Sequence, residues 1–433
     1  MSTPDNYLKA DKLQTKADSG ERVAASMQIK APPVFHKLLF AKHALAYPRV
    51  SGHDVHAFHM MQACATLGHE VSLATVVEPS CEAIAGLPLA GRFGLETAAN
   101  GGSEPLRLTR LQERFRSYFG IPVGRLKSLR AAAASSNADA VIVVGLDALP
   151  YFGALDHVVR VWYAADEWLW HHLSQLRFGD AAFGENVQYG VIKGLYERAY
   201  ASLVDRAWVV SKTERRAMRW LAGMRAVDIV PNGVDAEFFK PESGEEEPYT
   251  AVFWGRLDFG PNVQAVEWFV TKVWPIVRTH ARTARFTIVG FRPSPEIQRL
   301  CRTPGVSVAA DLPDLRTMAL RHQVVVLPFV SGGGIKNKLL EAAAMGKPIV
   351  CTPRARGGLR AVERAPLVVR RSPEAWARAI VELWQDERRR RVLGTAARAW
   401  VVEHHTWIAA ARDAIAGIEA SRSEAVPSRP EQR

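Results

Sequence analysis

Cysteine is scarce in this chain, and what there is does not cluster. Cys64, Cys81, Cys301 and Cys351 form no CxxC pair and stand in no His/Cys group at metal-ligand spacing, which argues against a zinc module or a disulfide framework. They read as buried thiols of a reducing cytoplasm. No uninterrupted apolar run approaches the roughly 18 residues of a membrane-spanning helix. The polar stretch 1–31 has no apolar segment of the signal-peptide kind. No Asp-x-Asp pair occurs anywhere, so no divalent metal is needed to account for the chemistry below. There is no zinc finger, no aromatic RNP-type strand and no continuous basic helix, so the net charge of +12 does not point to nucleic acid. An anionic membrane or a phosphorylated substrate suits that charge better.

What is present describes a globular enzyme-sized chain. Its 433 residues, 48% hydrophobic and 23% charged, suffice for about two to three domains. Twelve Trp and seventeen Phe supply two cores. Residues 1–34 are polar and aperiodic and read as a disordered tail. Strands are expected at 37–41, 70–77, 106–111 (the weakest), 140–145, 159–164, 207–210 and 227–230, with helices between most of them. A turn at Pro231-Asn232-Gly233 and a Glu/Pro/Gly-rich stretch make 231–248 a linker. A second series follows, with strands at 251–255, 285–290, 306–308, 323–329 and 367–369. The alternation predicts an α/β protein of two Rossmann-like, doubly wound parallel-sheet domains, 35–230 and 249–395. Residues 396–419 form a helix crossing back to the first domain, and 420–433 a second tail. In such sheets ligands bind at the carboxyl ends of the strands, so a site is expected in the cleft between the halves.

The most informative stretch is 331–348. An apolar run, Gln323-Val324-Val325-Val326-Leu327, leads into Gly332-Gly333-Gly334-Ile335-Lys336-Asn337-Lys338-Leu339-Leu340-Glu341. Gly346 closes the helix before the next strand. Cations in the first turn of a helix are disfavoured by about 0.3–1 kcal/mol each. Lys336 and Lys338 stand there, which suits a loop whose backbone N–H groups and ammonium groups converge on a phosphate. The alternative is a ligand-free turn in which Lys338 pairs with Glu341 three residues on.

The ordered landmarks resemble the retaining GT-B glycosyltransferases of family four, the glycogen-synthase-like group, and within it the sugar transferases of exopolysaccharide systems. The carrying residues are Ile229-Val230-Pro231-Asn232-Gly233-Val234-Asp235 with Phe238 and Pro241, Gly255-Arg256-Leu257, the loop and helix from Gly332 to Ala342, and the Tyr47-Pro48 to Gly52 loop. The resemblance implies a GT-B architecture and transfer of a sugar from a UDP- or GDP-sugar to a saccharide or lipid-linked acceptor. It implies no cofactor. Arg256, Lys336 and Lys338 would hold the diphosphate, together with the loop Gly333-Gly334-Ile335. Glu341 would take the ribose hydroxyls, Leu312 would face the base, and Gly52 would let the first loop approach the sugar. The match has two gaps. The first of the family's paired glutamates would fall on Gly333, and the lysine expected soon after Gly-Arg is missing, with Pro261-Asn262 in that segment.

Three further features keep two readings each. His53, His56 and His59 recur every three residues, as a metal group would, or as packing residues with only His53 near the cleft. Asp166, after the strand Trp162-Tyr163-Ala164, is either an acceptor-side polar group or a helix cap. The segment 107–130, with Arg110, Arg114, Arg116, Arg125, Lys127 and Arg130 among aromatics, is either a solvated face or a surface resting on anionic lipid at the inner face of the membrane.

Overall fold

The computed structural model describes residues 36–47, 52–97, 105–165, 168–173, 183–242, 244–312, 314–332 and 334–425. Two all-parallel sheets organise them. The first has seven strands, β1 (Lys37–Lys42), β2 (Glu70–Thr75), β3 (Leu89–Gly94), β4 (Ala140–Val144), β5 (Val159–Ala165), β6 (Arg206–Val209) and β7 (Val227–Ile229), in the order β3-β2-β1-β4-β5-β6-β7. The second has six, β8 (Glu247–Arg256), β9 (Arg285–Phe291), β10 (Val306–Ala310), β11 (His322–Leu327), β12 (Ile349–Cys351) and β13 (Val368–Val369), in the order β10-β9-β8-β11-β12-β13. The α/β class and the pair of doubly wound sheets match the sequence expectation.

The central strands are apolar without interruption because both faces are covered. All five residues of β4, Ala-Val-Ile-Val-Val, are buried, and alternate residues enter different cores. Ile142 and Val144 face one side of the sheet with Leu38 and Phe40. Val141 and Val143 face the other with Leu39 and Ala41. The second sheet has one core, built around Phe253, Phe269, Trp274, Phe286, Phe329 and Trp376.

Several local expectations are corrected. The segment 106–111 is no strand. Thr109 caps the helix Arg110–Tyr118 through a reciprocal capping box with Gln112, which satisfies two backbone donors that a strand would need a neighbour for. The missing strand is β3, an edge strand whose residues alternate between half-buried and exposed. The basic segment 107–130 is split between helices Arg110–Tyr118 and Val123–Ser135, with Phe115 and Phe119 turned inward onto Tyr196. Only Cys64 and Cys351 are buried thiols; Cys81 and Cys301 are exposed.

After β13 come three helices, Pro373–Gln385, Glu387–His404 and Trp407–Ala425. The last packs on helix Gly52–Thr66 and places Trp407, Ala411, Ala414 and Ile418 in the core of the first sheet. It runs on past the point where the sequence suggested a tail, and Arg422 there pairs with Asp139 at 2.7 Å. The two crossings between the halves lie side by side. Val234 bridges Thr406, and its N–H donates to the His405 carbonyl at 2.8 Å.

Candidate functional site

The carboxyl end of β11 leads through Gly332, which has φ 84°, and Gly334, which has φ 67°, into helix Asn337–Ala344. Left-handed turns at these two positions are open to glycine without steric cost. They bring Lys336 to the cap position, with no side-chain cap bond, and Lys338 to the second helical position. Both ammonium groups gather on one ring: Lys336 Nζ lies 5.2 Å and Lys338 Nζ 5.1 Å from the centre of Phe329. Lys336 also donates to the Gly332 carbonyl at 3.3 Å, which closes the loop on itself. Lys338 lies 5.6 Å from Phe253 and donates to Asn262 Oδ1 at 3.3 Å. Burial pushes its pKa down to about 8, and the nearby Glu341 offsets only part of that.

Glu341 stands one turn on. Burial raises its pKa, opposed by a hydrogen bond from the Trp254 indole N–H and by Lys338. Its Oε2 accepts that bond at 2.6 Å. Trp254 belongs to β8, the strand that neighbours β11, so half-buried carboxylate and ammonium and a buried indole form one polar group between two strand ends.

The same edge carries Arg256, the last residue of β8. It is 45% exposed, pairs with Asp258 at 2.7 Å and stacks its guanidinium 5.3 Å from Phe259. Its carbonyl accepts from Asn262 Nδ2 at 2.8 Å. Leu312 follows β10, half-buried against the second core, just after Asp311, whose N–H donates to Gly290 at the end of β9 at 2.9 Å. Arg256, Leu312, Gly334, Ile335, Lys336, Lys338 and Glu341 are thus brought to one sheet edge, where open α/β sheets bind ligands. Gly333 and Asp166 lie outside the described residues.

Gly52 and His53 stand in the first half, at the start of the helix that follows β1. His53 meets Tyr163 edge-on at 5.8 Å. The other two histidines of that face are used in packing: His56 stacks on Tyr163 at 3.8 Å, and His59 on Trp407 at 5.1 Å. Full burial pushes His56 down to about 3. Among the described residues no three His, Cys, Asp or Glu side chains are placed to share a metal ion.

Three features escaped the sequence. Lys42 at the end of β1 pairs with the buried Asp54 at 2.7 Å, beside Gly52. Asn232, after β7, donates to Asn337 Oδ1 at 2.7 Å. A Cβ on Gly358 would sit 3.1 Å from Ile335 and 3.3 Å from Ser211, the latter just past β6. The last two contacts tie the carboxyl edges of the two sheets together at the glycine loop. A cavity of about 950 Å³ opens at the other end of the same helices, lined by Gln62, Thr66, Val234, Gly346, Arg398 and Trp407, away from the lysines.

Residues 248–386 match the family model described as Glycosyl transferases group 1. A comparison with curated protein sequences gives no match. The chain is similar in structure to Anabaena HepE in complex with UDP and glucose, at 13% identity and TM-score 0.60 over 89% of this chain and 100% of that one. It is similar to sucrose-phosphate synthase from Thermosynechococcus elongatus, at 16% identity and TM-score 0.62 over 90% and 100%. It is also similar to a glycosyltransferase from Rickettsia africae, at 12% identity and TM-score 0.60 over 90% and 100%. At these identities the likeness is one of fold, and the fold is GT-B.

Proposed function

We propose that this protein is a glycosyltransferase that moves a sugar from a nucleotide-diphosphate-sugar, UDP- or GDP-linked, to a saccharide or lipid-linked acceptor in the assembly of cell-surface polysaccharide. The observation that carries the reading is the pair of ammonium groups, Lys336 and Lys338, gathered on Phe329 at the N-terminal end of a helix. Helix dipole and desolvation both oppose cations there, so an anion of matching charge restores the balance. The match of residues 248–386 to the group 1 family model and the fold shared with HepE, solved with UDP-glucose, support a nucleotide-sugar as that anion.

In this reading the second half holds the donor and the first half the acceptor. Arg256, Lys336 and Lys338 bind the diphosphate, Glu341 the ribose, and Leu312 the base. As the sugar–phosphate bond lengthens, negative charge grows on the leaving diphosphate. Preset cations and a helix terminus lower the energy of that charge without reorganising. Transfer is retaining and metal-independent: the lack of any Asp-x-Asp pair supports cation duty by side chains, and the leaving phosphate helps to deprotonate the acceptor. His53 and Asp166 are assigned to the acceptor side. The first half also rests on anionic lipid through exposed Leu111 and Tyr118 among the arginines of 107–130.

Incubation with a panel of UDP-, GDP- and ADP-sugars, with and without EDTA, tests the reading. Slow donor hydrolysis unchanged by EDTA supports it. Interconversion of the sugar would make the protein an epimerase, and binding without turnover a sugar-nucleotide binder, which the glycine at position 333 favours. Lys336→Ala abolishes nucleotide binding or turnover; unchanged behaviour refutes the assignment. Pelleting with anionic vesicles at low salt tests the lipid contact, and indifference to lipid composition removes it.

A further inference from the structure

Asn262 is almost wholly buried, at 4% exposure, and its side chain bonds in two directions. The amide nitrogen donates to the Arg256 carbonyl at 2.8 Å, and the amide oxygen accepts from Lys338 Nζ at 3.3 Å. Asn262 lies in the first turn of helix Gly260–Trp268, just past β8. Lys338 lies in the first turn of the helix past β11. One amide therefore joins the ends of two neighbouring strands. Among the described residues Lys338 has few other polar contacts: two phenyl faces lie against it, and Glu341 already accepts from Trp254. A lysine stem has many rotamers and is fixed only where something fixes its head. Gly255 leaves the stem its room, since a Cβ there would stand 3.0 Å from Lys338 Cε.

We propose that Asn262 is the positioning residue for Lys338: its amide oxygen holds the ammonium beside Gly255, so that a cation supplied by the helix past β11 serves the turn after β8, which has no lysine of its own. The proposal rests on the nucleotide-diphosphate reading above. An amide oxygen bonded to the ammonium favours its charged form. Among the described residues, Glu341 on its own helix acts on Lys338, Lys336 shares the Phe329 ring, and Arg256, whose carbonyl holds the same amide, pairs its guanidinium with Asp258.

Two variants separate the two bonds. Asn262→Ala removes both, while Asn262→Asp keeps an acceptor for Lys338 and loses the donor to Arg256. In the ligand-free full-length protein, the pH profile of Lys338 acylation, read by mass spectrometry, is expected to have its midpoint near pH 8. Asn262→Ala moves it to lower pH and Asn262→Asp to higher pH. In calorimetry with UDP and GDP, Asn262→Ala weakens binding about tenfold, the loss of one charge-assisted hydrogen bond. It has no further effect in a Lys338→Met background. The proposal is overturned if both folded variants keep the wild-type midpoint, or if Asn262→Ala weakens binding equally with Lys338 absent. Wild-type protein that binds neither UDP nor GDP overturns the nucleotide reading, and the acylation profile then still decides whether Asn262 governs Lys338.

Discussion

Replacing Lys338 by Met should make the ligand-free protein more stable while weakening its grip on a nucleotide diphosphate. The reasoning starts from burial. An ammonium whose pKa is held at about 8 in place of 10.5 carries about 3 kcal/mol of penalty in its charged form, at about 1.4 kcal/mol per pKa unit. Because the folded-state value lies below the unfolded one, the penalty is fully felt below pH 8 and disappears as pH rises through 10.5. Methionine has a similar volume and no charge. It leaves the Asn262 oxygen without its donor, which costs about 1 kcal/mol or more. The net expectation at pH 7 is a gain of about 1–2 kcal/mol, seen as a higher urea midpoint at unchanged slope. At pH 10 the gain vanishes. Binding of UDP or GDP falls tenfold or more, since a bond to a charged group contributes about 1.5–3 kcal/mol. A variant that is less stable than wild type at pH 7, or stabilised equally at pH 7 and pH 10, refutes the reasoning and makes Lys338 a structural cation.

Three other outcomes follow from the same structure. Wild-type affinity for a nucleotide diphosphate falls as pH rises above about 8 and binding near that pH takes up a proton, whereas Lys338→Met shows neither effect in calorimetry across two buffers. Glu341→Gln, which keeps an oxygen for the Trp254 indole but removes the desolvated charge, preserves folding by circular dichroism and weakens nucleoside diphosphates more than inorganic pyrophosphate; equal loss for both would remove Glu341 from the ribose. His56, buried and held near 3 against an ordinary value near 6.5, stabilises the fold fully above pH 6.5 and progressively less as acid protonates the unfolded chain. His56→Phe, which keeps the stack on Tyr163, therefore shows a shallower loss of urea stability between pH 6.5 and pH 4, and an unchanged slope would contradict the burial argument.

Legibility in the sequence followed the range of the interactions. β4 and β11 could be read because burial on both faces leaves unbroken apolar runs. β3 could not, because an edge strand with Gly91, Arg92 and Gly94 carries no such pattern. The helix at Arg110 carries its capping signal in Thr109 and Gln112, which falls at the far end of the short apolar run 106–111 that reads as a strand. At the site, Lys336, Lys338 and Glu341 are neighbours on one helix and were visible as a motif. Asn262 and Asn232 act across separations of 76 and 105 residues, which local patterns do not encode, and the Lys42–Asp54 pair joins a strand end to a helix that only tertiary packing brings together.

The placement of Trp407–Ala425 in the first core has a consequence for how the chain is made. A ribosome releases the first sheet long before the helix that finishes one of its faces. Until that helix emerges, Phe40, Ile142, Val161 and Trp208 lack part of their cover, while the second half can close around its own aromatic residues. The half made first is therefore completed last. A fragment ending after β7 should need residues 407–425 supplied in trans to stay monomeric.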